Sequence, residues 1–444
     1  MIDLREYQSR TVDMTREALK TANSVCVVSP TGSGKTALAA GISEMVLDKG
    51  KRVQFIAPRR SLVTQAHESF NRFGLDSGIY MSQIEFDQRH KIDIASFDTL
   101  LSRINLPHSN GLESVKLADI FIVDEAHCAA SEARAKFLND VRSGIYGKKK
   151  IIGLTATPCT SGGGGLGNIF DKLVVPVTMR ELIDTGYLLQ PRYFSAPKPD
   201  LSNVPLVGDE YNNKQLGEAY DDAKIMGSVV ENWLRIAPGT STVVFASTRA
   251  NANHLLEEFE RHGVPSAYLD ANTPDEERED VFAKVQSGKI LVICNVLIVG
   301  MGVDIPRVQT ISFATATRSV ARWMQGVGRG MRPFGDQKFM NVIDHGGMSR
   351  DPRLGPVEDI TDWDLAPKKK VQDRIEQRKK ETKERKEIEC PGCHSVFKAA
   401  HKCPGCGYQL KQKSEPLDYY EADLHEMKPI HDKFTKDEKQ KFYS

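Results

Sequence analysis

Apolar residues in this chain fall into short runs, each followed by a stretch with helical spacing. Ser24-Val25-Cys26-Val27-Val28 is a β-prone run, and a helical pattern begins at Ala37 and continues to Leu47. Val53–Ala57 is a second run, stopped by Pro58 and followed by a helix. Residues 93–100 repeat the strand-then-helix design, and the run ending at Val123 reads as a buried strand. A second series opens at residues 241–246 and passes through a helix at 250–259 to strands at 266–270 and 290–294. Buried strands alternating with helices predict an α/β fold of two tandem parallel-sheet domains.

Between the first strand and its helix stands Ser29-Pro30-Thr31-Gly32-Ser33-Gly34-Lys35-Thr36. That is the setting of a phosphate-binding loop, with Ser29 where the strict fingerprint has its first glycine. Backbone N–H groups of Thr31, Gly32, Ser33 and Gly34 would wrap phosphates at a helix N-terminus. Lys35 adds a charge for the β- and γ-phosphates, and the Thr36 hydroxyl suits Mg²⁺. The expected ligands are therefore ATP and Mg²⁺.

The run ending at Val123 delivers Asp124 and Glu125, then His127, at the C-terminal end of a strand, where open α/β sheets place their ligands. Asp124 is suited to hold Mg²⁺, and Glu125 to orient and deprotonate a water. Asp124-Glu125-Ala126-His127 is similar to the motif II signature of superfamily 2 helicases and translocases, which implies a RecA-like fold for both domains. Ile151-Ile152-Gly153-Leu154-Thr155-Ala156-Thr157-Pro158 looks like the motif III of that family. Gly302 and Asp304 lie in a turn resembling motif V, near the nucleotide. The segment 319–332 is expected as one helix, with Gln325, Arg329 and Arg332 on roughly one face. It resembles motif VI, whose arginines reach the γ-phosphate across the cleft. The position of Arg5 and Gln8 resembles the adenine-reading glutamine motif. Arg59 and Arg60 sit at a helix start where a backbone phosphate could bind, although two surface basic residues would look the same. The resemblance adds Thr99, Thr248 and Arg249 as nucleic-acid contacts.

Charge changes the picture little: 60 Lys and Arg against 59 Asp and Glu give a net charge of +1. No apolar run approaches the ~20 residues that span a bilayer, so a cytoplasmic protein without membrane partners is expected. Residues 162–165 are four glycines and read as a flexible loop near a domain boundary. Residues 368–387 carry ten basic and five acidic side chains with almost no apolar face, which reads as a solvated linker or exposed helix. Cysteines change it more. Cys390, Cys393, Cys403 and Cys406 form two Cys-Pro-Gly-Cys knuckles with the spacing of a four-thiolate zinc ribbon.

The expected organisation is 1–178, first RecA-like domain; 179–225, connecting segment; 226–350, second RecA-like domain; 351–388, basic linker; 389–410, zinc ribbon; 411–444, charged tail. The assembly resembles the RadD-like branch of superfamily 2, bacterial and phage ATPases that act on branched DNA. That implies an ATP-dependent DNA helicase or translocase of forks and junctions in replication, recombination or repair. Single-strand-binding or recombination proteins are the expected protein partners. An RNA helicase and a DNA-binding adaptor remain as alternatives.

Overall fold

The computed structural model describes residues 2–426 except 82–83, 85–86, 105–110, 196–199, 222, 271, 297–307, 385–386, 390–395 and 399–424. Among these residues two seven-stranded sheets form the framework. In the first, the strand order is Gly78–Tyr80, Ile92–Ser96, Val53–Ala57, Ile120–Asp124, Lys150–Thr155, Ser24–Val28, Lys172–Val174, and every pair is parallel. In the second it is Ser266–Leu269, Val292–Val296, Thr242–Ala246, Thr310–Ala314, Phe339–Asp344, Gln190–Ser195. These are also parallel, and the two-residue strand His425–Glu426 adds to the outer edge of Gln190–Ser195 in antiparallel sense.

The strands are apolar on both faces because both faces are covered. Val25, Val27, Phe55 and Ile122 enter one core of the first sheet, while Cys26, Ile56, Phe121 and Val123 enter the other. Residues one apart point to opposite sides, so each strand feeds two cores at once. The second sheet divides Val243 and Phe245 from Val244 and Ala246 in the same way. Truncating a fully enclosed ring such as Phe121 to alanine would cost about 3–5 kcal/mol.

Three expectations require correction. Strand Gln190–Ser195 lies inside the stretch read as a connecting segment, yet it pairs with Phe339–Asp344 over its whole length, so the chain enters the second sheet before residue 226. Gly163, Gly164 and Gly165 are buried against residues 364–372 and do not form a flexible loop. Helix Val371–Glu384, read as lacking an apolar face, buries Val371 and Ile375 completely.

Candidate nucleotide site

The phosphate loop follows strand Ser24–Val28 and ends at helix Lys35–Leu47. Gly32 and Gly34 have φ of +83° and +77°, the left-handed region that glycine enters without a Cβ penalty. The Ser29 backbone N–H donates to Thr155 O at 2.8 Å, as any residue but proline could. Its hydroxyl, which a glycine would lack, lies 2.7 Å from the Ser33 hydroxyl. The two buried serines brace the loop from inside.

Lys35 forms an ion pair with Glu125. Burial would lower the Lys35 ammonium pKa, but the charges of Glu125 and Asp124 outweigh it and hold the group above its ordinary value. Burial, then the neighbouring Glu125 charge, pushes the Asp124 carboxyl up to about 6. Glu125 itself is held below its usual range, because Lys35 and His127 more than offset its desolvation. Among the described residues Glu125 is the one non-glycine residue with positive φ, 45°. A side chain in that region carries roughly 1–2 kcal/mol of strain, a cost tolerated where the geometry serves a purpose.

His127 joins the two halves of the chain. Its Nδ1 is 3.0 Å from Thr155 Oγ1 and 3.3 Å from Glu125 Oε2, and its Nε2 is 3.2 Å from the amide nitrogen of Gln325. An amide nitrogen only donates, so Nε2 accepts and Nδ1 carries the ring proton. Burial lowers the His127 pKa and favours that neutral form. Gln325 also reaches Thr157 Oγ1 at 3.5 Å.

Helix Val320–Gly328 is shorter than the sequence implies. Arg329 caps its C-terminus and Arg332 lies beyond the helix, so the expected single face of Gln325, Arg329 and Arg332 is a helix end plus a turn. The turn still aims at the phosphate loop. A Cβ on Gly328 would fall 2.7 Å from Thr31 Cβ, and one on Gly32 would fall 2.9 Å from Leu188 and 3.4 Å from the Arg332 side chain. Burial lowers the pKa of both arginines, and the Glu125 charge opposes this at Arg329.

Gln8 is already engaged: its amide nitrogen donates to Ser33 O at 3.1 Å, and its oxygen accepts from Arg5 N at 3.0 Å. The Arg5 guanidinium lies 4.7 Å from the centre of the Tyr187 ring, which meets Tyr7 edge-on at 5.1 Å. Tyr7 also donates to Ser33 O at 2.7 Å. Sequence reading missed Tyr7, Tyr187 and Leu188. Tyr7 beside Gln8 was a readable signal, whereas Tyr187 and Leu188 stand in no motif.

Among the nucleic-acid candidates, Arg59, Arg60 and Arg249 are exposed at the C-terminal ends of strands Val53–Ala57 and Thr242–Ala246, and Arg249 pairs with Asp270 at 2.7 Å. Thr99 is buried, its hydroxyl 3.0 Å from that of Ser96. Thr248 caps the helix Arg249–Arg261. Gly302, Asp304, Cys390, Cys393, Cys403 and Cys406 lie outside the described residues.

A triphosphate with Mg²⁺ fits this donor set. Lys35, Arg329 and Arg332 supply positive charge around a glycine cradle; Thr36 and Asp124 supply hard oxygen ligands, and buried Glu125 Oε2 accepts no hydrogen bond.

Residues 1–160, spanning most of the first sheet, match the family described as type III restriction enzyme, res subunit, and residues 226–333 match the helicase conserved C-terminal domain. The chain is a superfamily 2 helicase. Both sheets of this helicase are RecA-like domains, and the enzyme hydrolyses ATP. It is 26% identical to a 51.5 kDa protein of a Lactococcus phage over 90% of this chain and 81% of that one. It is 24% identical to the candidate ATP-dependent helicase IRC3 of Saccharomyces cerevisiae over 78% of this chain, which spans about half, 52%, of the yeast protein. The solved structure of the helicase MrfA bound to DNA shares the fold with a TM-score of 0.53 at 18% identity, covering 77% of this chain and 48% of that one. Among the described residues, no helix is long and apolar enough to cross a membrane.

Proposed function

We propose that this helicase couples ATP hydrolysis to translocation along, or unwinding of, branched DNA such as forks and junctions, as a RadD-like enzyme of replication, recombination or repair. The observation that carries the reading is the meeting of Lys35, Glu125 and the Arg329–Arg332 turn across one cleft, with Gln325 touching His127. Mg²⁺, held by Thr36 and Asp124, would screen the phosphate charge. Glu125 Oε2 takes the proton of the attacking water, and its Oε1 is kept anionic by Lys35. His127, neutral, is fixed by Thr155 at Nδ1 and by Gln325 at Nε2, which sets its ring beside Glu125 Oε2 at 3.3 Å. Arg329 and Arg332 meet the charge that develops on the γ-phosphate. Opening and closing of the cleft then follows the nucleotide state, because the same groups bridge it.

DNA is favoured because the proteins of like fold include MrfA bound to DNA and because Arg59, Arg60 and Arg249 stand exposed at strand ends on the two sheets. The knuckles Cys390, Cys393, Cys403 and Cys406 bind one Zn²⁺ in this reading and help engage branched substrates, with single-strand-binding or recombination proteins as partners. ATPase and unwinding assays on single-stranded DNA, duplex, fork, four-way junction and RNA test the proposal. Preference for fork or junction supports it; stimulation by RNA alone, or none by any polynucleotide, refutes it.

A further inference from the structure

The glycine stretch 162–167 begins four residues after Pro158 and is interlocked with residues 364–372, about two hundred residues later. Gly165 N donates to Ala366 O at 3.1 Å, Gly167 N to Leu365 O at 2.8 Å, and Val371 N to Gly163 O at 2.9 Å. A Cβ on Gly164 would lie 2.3 Å from Pro367 O, on Gly165 2.3 Å from Asp364 O, and on Gly167 2.5 Å from Leu365 O. Backbone presses on backbone here, and it has nowhere to move. The glycines are therefore required by close approach, not by a need for flexibility.

The later segment is anchored at both ends. The Leu365 side chain packs into the first-sheet core that contains Leu166, Ile169 and Phe170. Six residues on, Val371 enters the core with Trp323 and Val327, beside the second sheet. Gln372 donates to Arg318 O at 3.3 Å, just ahead of helix Val320–Gly328. One end of the segment thus holds the loop continuous with Thr157, and the other holds the start of the helix that carries Gln325.

We infer that residues 364–372 are a strap that positions the arginine turn against the phosphate loop, with Leu365 and Gln372 as positioning residues for hydrolysis. The inference rests on the proposed role of Arg329 and Arg332 at the γ-phosphate. Polar contacts inside the cleft must break and reform as nucleotide comes and goes. The strap bonds lie outside it and can persist, limiting how far the two sheets move apart. Misplacement of a catalytic group by about 1 Å can cost on the order of a hundredfold in rate, so such a tether acts on kcat without touching nucleotide.

The test compares Leu365→Ala with Leu365→Met in the full-length protein. Leu365→Ala is expected to lower kcat for ATP about fivefold or more while KM stays within about twofold, and Leu365→Met, which refills the volume, is expected to restore kcat. Unchanged kcat in a Leu365→Ala protein whose 162–167 and 364–372 amides exchange faster overturns the inference. So does a fall in kcat that Leu365→Met shares. Should Leu365→Ala not fold, hydrogen exchange of the wild-type protein decides: the two segments must gain protection together when a non-hydrolysable ATP analogue binds, and independent behaviour overturns the strap. Glu125→Gln serves as the separate arm for the hydrolytic reading. Undiminished turnover there refutes the reading itself, whatever Leu365 variants do.

Discussion

The amide nitrogen of Gln325 lies 3.2 Å from His127 Nε2, so a residue of the second sheet's helix fixes the tautomer of a residue in the first. Replacing Gln325 with leucine leaves the His127 Nε2 with only the weak Cys128 thiol, its sulfur 3.4 Å away, as donor. That loss is expected to lower kcat about tenfold, the scale of one buried hydrogen bond, with ATP affinity little changed. Steady-state kinetics beside nucleotide-binding titration measures both; an affinity loss with normal kcat would assign Gln325 to binding.

Glu125→Gln keeps the shape of the side chain and removes its capacity to accept a proton. ATP binding should persist while hydrolysis slows about a hundredfold or more. Single-turnover hydrolysis of pre-bound ATP is the decisive measurement.

Arg329 is half-buried and Arg332 exposed, both on the turn that faces the phosphate loop, and each should contribute more to the transition state than to bound ATP. Arg329→Ala and Arg332→Ala are each expected to reduce kcat by about 10³, with KM for ATP changing far less. Equal effects on kcat and on nucleotide affinity would place these side chains in ground-state binding.

Asp93 sits in strand Ile92–Ser96, and burial pushes its carboxyl up to about 7 despite Arg52 at 3.5 Å. The folded protein therefore holds a proton that the unfolded chain releases near pH 4. Stability from this group is present below that pH and declines as pH rises toward 7. Asp93→Asn should match the wild type at pH 4 and exceed it at pH 8 by roughly 2–4 kcal/mol. Urea unfolding of the first domain at the two pH values checks the sign; a variant less stable at pH 8 would mean the Arg52 pair dominates.

Cys403→Ser should lose bound zinc and weaken fork binding while nucleotide binding and basal ATPase remain, because the phosphate loop is built by other residues. Metal analysis is expected to find about one zinc per wild-type chain. Protein purified without chelator and free of zinc would dismiss the ribbon.

Much of this was legible locally. Strand Ser24–Val28, the loop after it and the carboxylates at Asp124 and Glu125 depend on neighbours within a few residues, so alternation and turn chemistry located them. What escaped depends on distant partners. Glycines 163–165 look flexible until the backbone of residues 364–367 is laid against them. Arg332 was placed on a helix because its spacing permits it, but the helix ends at Gly328, where Arg329 is the cap. Thr99 and Thr248 look available in sequence, yet the Thr99 hydroxyl is paired with that of the helix cap Ser96, and the Thr248 hydroxyl itself caps a helix by accepting from Asn251 N. Tyr187 reaches Arg5 only because the chain between the sheets folds back over the first helix.

The two-residue strand His425–Glu426 also bears on how the protein behaves at high concentration. Strand Gln190–Ser195 would otherwise end the second sheet with open backbone groups, a template for another molecule. One half of it already carries Pro191, which has no N–H to offer, and the charged Arg192; the other half, Phe194 and Ser195, is where His425–Glu426 pairs. Shortening the chain ahead of residue 425 therefore removes more than a tail: it uncovers an adhesive rim, and the shortened motor should self-associate through it before any loss of fold.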